Sequence, residues 1–208
     1  MTRPSAKLAP AQQSRAEESR RLLLEAALDC FAEFGVAATN TTMISERAGL
    51  SRGAYLHHFK SREMLIAAAI DYTQQKAMEA IESGIRGLFV DPQDSVFVDI
   101  WKHALPDTFL AGYEMMLLAR FNPTLKAEWQ YHSDLFRAKR ADILTELFGK
   151  QVAEADALPL LEGIADFYRG LKIMELVRTE AETLRTIEAM APLFQAKLKA
   201  LQSKLLRS

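Results

Sequence analysis

The residues around Arg52 combine one guanidinium group with small side chains, a combination that can read DNA bases. Ser51 can cap a helix here, because its side-chain oxygen can accept hydrogen bonds from the free N–H groups of the first turn. A helix from Arg52 to Phe59 would leave one face exposed, consisting of Arg52, Gly53, Ala54, Leu56 and His57. The small residues would let its backbone approach the floor of a major groove. Arg52 could then donate two hydrogen bonds to O6 and N7 of a guanine.

A second short helix is expected immediately before this one. Asn40 can cap its N-terminus, and Gly49 can end it because glycine readily adopts the left-handed conformation that the turn requires. Ser45 is small where the two helices would cross. Tyr55 and Phe59 lie one turn apart and can pack underneath. Two short helices joined by such a turn form a helix-turn-helix.

Longer helices are expected on both sides of this pair. Apolar residues recur at three- and four-residue steps between Arg15 and Phe34, and Gly35 would end that helix. Ser61 would cap another long helix that extends to about Arg86. No alternation typical of a strand lasts long enough to matter, so we expect an all-α fold of about nine helices.

The remainder of the chain is expected to form roughly four or five of these helices. Their boundaries are predicted near Asp91-Pro92, Leu105-Pro106, Asn122-Pro123, Gly149 and Thr179. Pro192 lies inside an otherwise helical pattern, which predicts a kink or a break. Residues 1–16 carry proline and small polar residues and are expected to form a flexible arm.

Residues 20–65 closely resemble the N-terminal DNA-binding domain of the TetR family of transcriptional regulators. The matching residues, in chain order, are Ala26, Ala27, Phe31, Gly35, Ile44, Ala48, Gly49, Leu50, Ser51, Gly53, His58, Phe59, Lys60, Arg62, Glu63 and Leu65. Both their order and their spacing agree with the pattern of the family. For the rest of the chain the resemblance supports the fold without indicating a ligand.

The resemblance implies DNA-binding roles for individual residues. Thr41 and Thr42 would contact a phosphate or a base from the start of the first short helix. His57, Lys60 and Arg62 would hold the DNA backbone, the last two at the N-terminus of the next helix, where an anion is favoured. The complete predicted DNA-binding set is Asn40, Thr41, Thr42, Ser51, Arg52, Gly53, Ala54, Tyr55, Leu56, His57, Lys60 and Arg62.

One position of the recognition helix departs from the family pattern. Leu56 stands where the family usually has a tyrosine, and Tyr55 precedes it by one place. Two explanations are open. Either the contact from a phenol to a phosphate is missing, or Tyr55 supplies it from a rotated helix.

The resemblance also predicts the domain organisation. We expect a DNA-binding domain over residues 17–77, with its helix-turn-helix at 40–59, and a ligand-binding and dimerisation domain over 78–208. Residues 156–205 have a surplus of apolar faces, which predicts that they form the interface of a homodimer. The predicted function is a cytoplasmic repressor that an apolar or amphipathic small molecule releases from a palindromic operator.

Aromatic and methionine residues concentrate between residues 97 and 136. Such residues usually form core, but with a few polar groups they can also line an apolar ligand cavity between helices. Mainly because of the family resemblance, we expect such a cavity. The predicted ligand-binding set is Trp101, His103, Phe109, Tyr113, Met116, Trp129, His132, Phe136 and Phe167.

The charge of the chain is unevenly distributed. Residues 1–63 carry nine Lys or Arg and seven Asp or Glu, a net charge of +2, and the remainder carries 17 and 20, a net charge of −3. The excess is too small to demonstrate DNA binding by itself. It does place the end that binds a polyanion at the N-terminus.

Other classes of protein find little support. The single Cys30 excludes an internal disulfide and fits a reducing compartment. The sequence has no glycine-rich phosphate loop, no Gly-x-Ser-x-Gly, no Cys-x-x-Cys and no Glu-x-x-His pair, so we predict no enzyme, cofactor or metal site. Neither a signal peptide nor an apolar run of membrane-spanning length is recognised. The alternative function, a helical carrier or adaptor without DNA binding, leaves the pattern of residues 39–62 unexplained.

Overall fold

The computed structural model describes residues 10–90, 96–100, 102 and 109–205, and within these ranges every regular element is a helix. The helices are α1 (Pro10–Phe34), α2 (Thr41–Arg47), α3 (Arg52–His58), α4 (Arg62–Phe89), α5 (Val96–Asp99), α6 (Phe109–Leu118), α7 (Pro123–Phe148), α8 (Lys150–Val152), α9 (Leu158–Met174) and α10 (Glu180–Gln202). A π-helical turn, Ala153–Ala157, joins α8 to α9. The predicted all-α fold is confirmed.

Local capping chemistry sets several of these boundaries where the sequence predicts them. Asn122 precedes α7, and its Oδ1 accepts hydrogen bonds from the N–H groups of Thr124 at 3.0 Å and Leu125 at 3.2 Å. Thr179 precedes α10 and forms a capping box with Glu182. The predicted boundaries at Asp91-Pro92 and Leu105-Pro106 lie outside the described residues.

One expectation about the start of a helix is wrong, and one of the two alternatives at Pro192 is excluded. Residues 10–16 belong to α1 instead of a flexible arm, whereas residues 1–9 lie outside the described part of the chain. Pro10 suits the first position of a helix, and the alanine and glutamine that follow are good helix formers, but this turn lacks the apolar periodicity that would have revealed it. At Pro192 the sequence predicts a kink or a break, and the break is absent, because α10 continues through it. Ile187 and Leu198 are buried on either side of Pro192, and their packing offsets the lost backbone hydrogen bond.

The described helices belong to two compact units. Unit 1 comprises residues 1–73 and 108–129, and unit 2 comprises residues 74–107 and 130–208. Unit 1 thus contains α6 in addition to the helices of the predicted DNA-binding domain. Its core consists of one continuous cluster of buried side chains, among them Leu23, Phe31, Ile44, Phe59, Leu65, Ile70 and Met115.

Unit 2 has its own core, in which aromatic side chains are prominent. The rings of Phe89 and Phe148 meet edge to face with centroids 5.6 Å apart. The Tyr168 hydroxyl is buried and donates a hydrogen bond of 2.6 Å to the carbonyl of Phe97. Burial raises the pKa of Tyr168 well above its ordinary value, so this hydroxyl keeps its proton. Among the described helices, none combines the length and the apolar character needed to cross a membrane.

Candidate nucleic-acid interface

The first helix of the predicted pair begins at a side-chain cap. Asn40 has an extended backbone, and its Oδ1 accepts hydrogen bonds from the N–H groups of Thr42 at 3.0 Å and Met43 at 3.2 Å. This confirms Asn40 as the N-cap of α2. Thr41 is half-buried and Thr42 is exposed at the same end of the helix. The side-chain oxygen of Asn40 is thus engaged by the helix, whereas the Thr42 side chain is open to a partner.

The turn between α2 and α3 depends on Gly49. Its φ is +65°, in the left-handed region that glycine adopts without steric cost. The N–H of Leu50 then donates to the carbonyl of Ser45 at 2.9 Å, which closes the C-terminal end of α2. A Cβ at Gly49 would meet no other atom, so the requirement for glycine comes from the backbone conformation alone.

Two aromatic residues fix the rotation of α3 about its axis. Tyr55 is 5% exposed and Phe59 is 2% exposed, and their ring centroids lie 5.7 Å apart. Ser51 caps the helix by accepting a hydrogen bond of 3.1 Å from the N–H of Ala54. The proposal that Tyr55 contacts DNA from a rotated helix does not fit this burial. Tyr55 is a core residue, and its burial raises the pKa of the phenol.

The opposite side of α3 is open to solvent. Arg52, Gly53, Leu56 and His57 are exposed, and Ala54 is half-buried. His58 is half-buried, and its pKa is lowered by burial, with smaller contributions from His57 and Arg20. The exposed face that the sequence predicts for this helix is therefore present.

Two cationic residues that follow α3 have different surroundings. Lys60 is exposed, and its Nζ donates to the carbonyl of Leu56 at 2.9 Å. Arg62 is half-buried, and its guanidinium donates to the carbonyl of Thr39 at 2.7 Å and to that of Val36. Arg62 holds the loop between α1 and α2, so its main contacts lie inside unit 1 instead of in the solvent-facing position of a phosphate contact.

The same loop is held from a second helix. A carboxylate oxygen of Glu114 on α6 accepts a hydrogen bond of 2.5 Å from the N–H of Val36. Arg62 and Glu114 together satisfy both polar backbone groups of Val36. Since Asn40 follows directly, these contacts position the start of α2. Sequence reasoning missed Glu114, because nothing local links a residue of α6 to this loop.

The arginines of unit 1 differ in whether a carboxylate compensates them. Arg21 pairs with Glu18 at 2.7 Å and with Glu25 at 2.6 Å. Arg20, its neighbour, has no carboxylate partner among the described residues, and its guanidinium carbon lies 5.8 Å from the centroid of the Phe59 ring. Arg20 is exposed beside the end of α3. It lies outside the helix-turn-helix sequence, and only the fold reveals its proximity.

Arg47 and Arg52 show the same contrast. Arg47 pairs with Glu33 and lies over the ring of Phe34. Arg52 forms no ion pair within the part of the chain that is described, and it is exposed at the start of α3. The uncompensated positive charge of this region therefore includes Arg20, Arg52 and Lys60.

The predicted ligand-binding residues are divided between the two units. Trp101 and His103 lie outside the described residues. Phe109, Tyr113, Met116 and Trp129 belong to unit 1, and His132, Phe136 and Phe167 belong to unit 2. In unit 1 the rings of Phe109 and Tyr113 lie 5.2 Å apart, and the Nε1 of Trp129 is buried without an acceptor among the described residues. In unit 2 His132 is buried, and Phe167 packs against Phe194.

Comparison with known proteins supports the helix-turn-helix assignment that the geometry gives. Residues 23–69 match the sequence model of the family described as bacterial regulatory proteins, tetR family. An HTH-type transcriptional regulator of Mycobacterium tuberculosis is 26% identical over 178 residues, 84% of this chain and 91% of that protein. The regulator CymR of Pseudomonas putida is 26% identical over 181 residues, 85% of this chain and 88% of its own length.

Solved structures share the fold at low sequence identity. A TetR transcription regulator from Haloarcula marismortui superposes with a TM-score of 0.60 at 17% identity, covering 91% of this chain and 100% of its own. Salmonella enterica GusR superposes with a TM-score of 0.60 at 20% identity, covering 89% of this chain and 95% of its own. A candidate transcriptional regulator from Saccharomonospora viridis, solved in complex with choline, superposes with a TM-score of 0.58 at 16% identity. The superposition covers 92% of this chain and 100% of its own.

The fold and the capped helix pair define a helix-turn-helix DNA-binding protein with a second helical unit. The proteins that it matches over most of its length are HTH-type transcriptional regulators. The N-terminal part of this chain matches the tetR family of bacterial regulatory proteins, and most of the chain is similar to transcriptional regulators.

The contacts of Arg62 lead to a prediction about stability. Arg62→Ala would leave the carbonyls of Val36 and Thr39 without their charged donor, and we expect the free energy of unfolding to fall by about 2 kcal/mol. Lys60→Ala removes an exposed cation and should change the free energy of unfolding by less than about 0.5 kcal/mol. Urea unfolding followed by circular dichroism measures both values. Equally small losses for the two variants would show that the loop does not depend on Arg62.

Proposed function

We propose that this regulator places α3 in the major groove of an operator and represses transcription there. The observation that carries the proposal is the orientation of α3. Burial of Tyr55 and Phe59 turns Arg52, Gly53 and His57 to the outside. Gly53 lets the backbone approach the bases, and Arg52 is free to donate to the O6 and N7 of a guanine.

The DNA backbone would be held by groups that flank α3. Thr42 at the start of α2 and Lys60 after α3 are exposed and can donate to phosphate oxygens. Arg20 extends this set, because it lies beside Phe59 without a carboxylate partner in the described structure. These contacts would fix the register of the protein on the duplex without reading its sequence.

The regulator would act as a homodimer. Unit 2 exposes several large apolar side chains in and before α10, namely Leu176, Val177 and Leu193. Exposed apolar groups of this size favour an interface with a second copy. A two-fold dimer presents two recognition helices, so the operator would be a rough palindrome with half-sites about one DNA turn apart or more.

Release from the operator would follow from binding of an apolar or amphipathic small molecule. The aromatic residues of unit 1, which include Phe109 and Tyr113, and those of unit 2, which include Phe167, are separate candidates for lining such a site. A similarly folded protein holds choline, which supports a ligand-responsive role without identifying the effector. A ligand can shift the DNA-binding equilibrium only by its differential affinity for the free and the bound conformation.

The central test compares a base contact with a backbone contact. Arg52→Ala should weaken binding to the cognate operator by about 1–3 kcal/mol and relax the preference at one base pair of each half-site. Lys60→Ala should weaken cognate and random DNA alike and lower the salt slope by about one. Electrophoretic shifts on the protein's own upstream DNA at two salt concentrations give both quantities. Equal weakening of cognate and random DNA by Arg52→Ala would contradict its base-reading role.

Two neighbouring arginines offer a matched test of the backbone contacts. Arg20→Ala and Arg21→Ala remove the same charge, but Arg21 is already paired with Glu18 and Glu25. We expect Arg20→Ala to weaken all DNA sequences alike and to lower the salt slope by about one. Arg21→Ala should have a smaller effect on both. Fluorescence titrations over a range of salt concentrations measure the slopes, and equal slopes for the two variants would remove Arg20 from the interface.

The dimer is tested on α10. Leu193→Glu places a charge on an exposed apolar position, and we expect it to shift the dimer toward a monomer at micromolar concentration. Lys199→Glu, on the same helix, introduces a negative charge at an exposed polar position and should leave the dimer intact. Sedimentation velocity distinguishes the two species. A wild-type monomer that binds DNA with full affinity would overturn the dimer, and an intact Leu193→Glu dimer would place its interface elsewhere.

A further inference from the structure

We propose that Leu56 reads the C5-methyl group of a thymine in each half-site of the operator. The proposal rests on the proposed insertion of α3 into the major groove and goes beyond it, because it assigns a specificity role to one residue and names the group that it recognises. Leu56 is 46% exposed, although it is an aliphatic residue.

The direction in which Leu56 points is fixed by its neighbours. Tyr55 and Phe59 anchor one side of α3 in the core of unit 1, so an adjacent residue cannot turn inward without displacing them. The carbonyl of Leu56 accepts the hydrogen bond from Lys60, which also holds the last turn of the helix. Leu56 is therefore presented outward by a helix that is capped at its start and braced at its end.

Arg52 and Leu56 form a pair on one flank of α3. Residues four apart in a helix lie on the same side, about 6 Å apart along the axis. Base pairs of DNA rise by about 3.4 Å, so the two side chains would reach positions roughly two base pairs apart. The inference is that Arg52 reads a guanine and that Leu56 reads a thymine close to it.

The chemistry of Leu56 leaves few groups that it can recognise. A leucine side chain has no hydrogen-bond donor or acceptor, so it cannot replace the phosphate contact of the tyrosine that the family usually has at this position. In the major groove, the apolar group that distinguishes one base pair from the others is the thymine methyl. Removing water from this methyl and from the exposed leucine is favourable, with no polar group left unpaired.

The size of the effect follows from the area of one methyl group. Burial of one such group contributes about 0.8 kcal/mol, which corresponds to a change of about fourfold in the dissociation constant. This is smaller than the loss expected for Arg52→Ala. Leu56 therefore refines the sequence preference of the operator and contributes little to overall affinity.

The test removes the methyl from the DNA and the leucine from the protein, separately and together. The operator is first selected from random duplex DNA by the wild-type protein, and each thymine is then replaced in turn by deoxyuridine, which lacks only the methyl group. In either half-site we expect one such replacement, made singly, to weaken wild-type binding about fourfold. Leu56→Ala removes the contact in both half-sites of the proposed dimer, so it should weaken binding to the unmodified operator by about the product of the two single-site factors and make it insensitive to either replacement.

Two controls separate this role from a general effect of the substitution. Leu56→Met keeps an apolar side chain of similar size and should retain the sensitivity to deoxyuridine. Val90→Ala, at an exposed apolar residue of unit 2, should bind all operators as the wild type does. Circular dichroism shows whether each variant is folded before its affinity is compared.

A gain of binding completes the test. If a cytosine replaces the recognised thymine, methylation of its C5 should restore about fourfold in wild-type affinity and nothing in Leu56→Ala. If every thymine behaves alike in the wild type and in Leu56→Ala, Leu56 is a surface residue and the inference is wrong. If random DNA yields no preferred sequence at all, the failure lies in the proposed function itself.

Discussion

The orientation of the recognition helix depends on one packing contact, the burial of Tyr55 and Phe59 against the core of unit 1. A helix of this length is not stable alone, so tertiary packing must supply most of its stability. The two rings lie one turn apart and therefore define a single inward direction. That direction determines what Arg52 and Leu56 can reach, because the remaining positions of α3 have no freedom to turn.

Local chemistry explains how much of this region the sequence could predict. Asn40, Gly49 and Ser51 act on backbone groups within three or four residues of themselves, so their roles can be assigned from residue type and spacing. The same holds for Thr179 at the start of α10. The start of α1 at Pro10 escaped prediction because its first turns lie outside the apolar pattern, which is the main signal for a helix in a sequence.

Interactions between distant parts of the chain could not be predicted in this way. The hydrogen bonds from Arg62 to Val36 and Thr39 and the bond from Val36 to Glu114 span large sequence separations. The family resemblance suggests a phosphate contact for Arg62, and nothing in the sequence indicates that two carbonyl groups engage its guanidinium. This contact has a physical cause, since the loop between α1 and α2 has backbone carbonyls that need donors inside the fold.

The DNA-binding region shows why the net charge of a sequence segment is a weak indicator of whether that segment binds DNA. A polyanion responds to the positive charges that remain uncompensated at the surface, and these depend on pairing. Arg20 and Arg21 are neighbours with the same side chain, yet only Arg21 is neutralised by carboxylates. Pairing of Arg21 and Arg47 concentrates the free positive charge near α3, although the net charge of the segment is small. DNA affinity therefore depends on how the fold distributes its ion pairs.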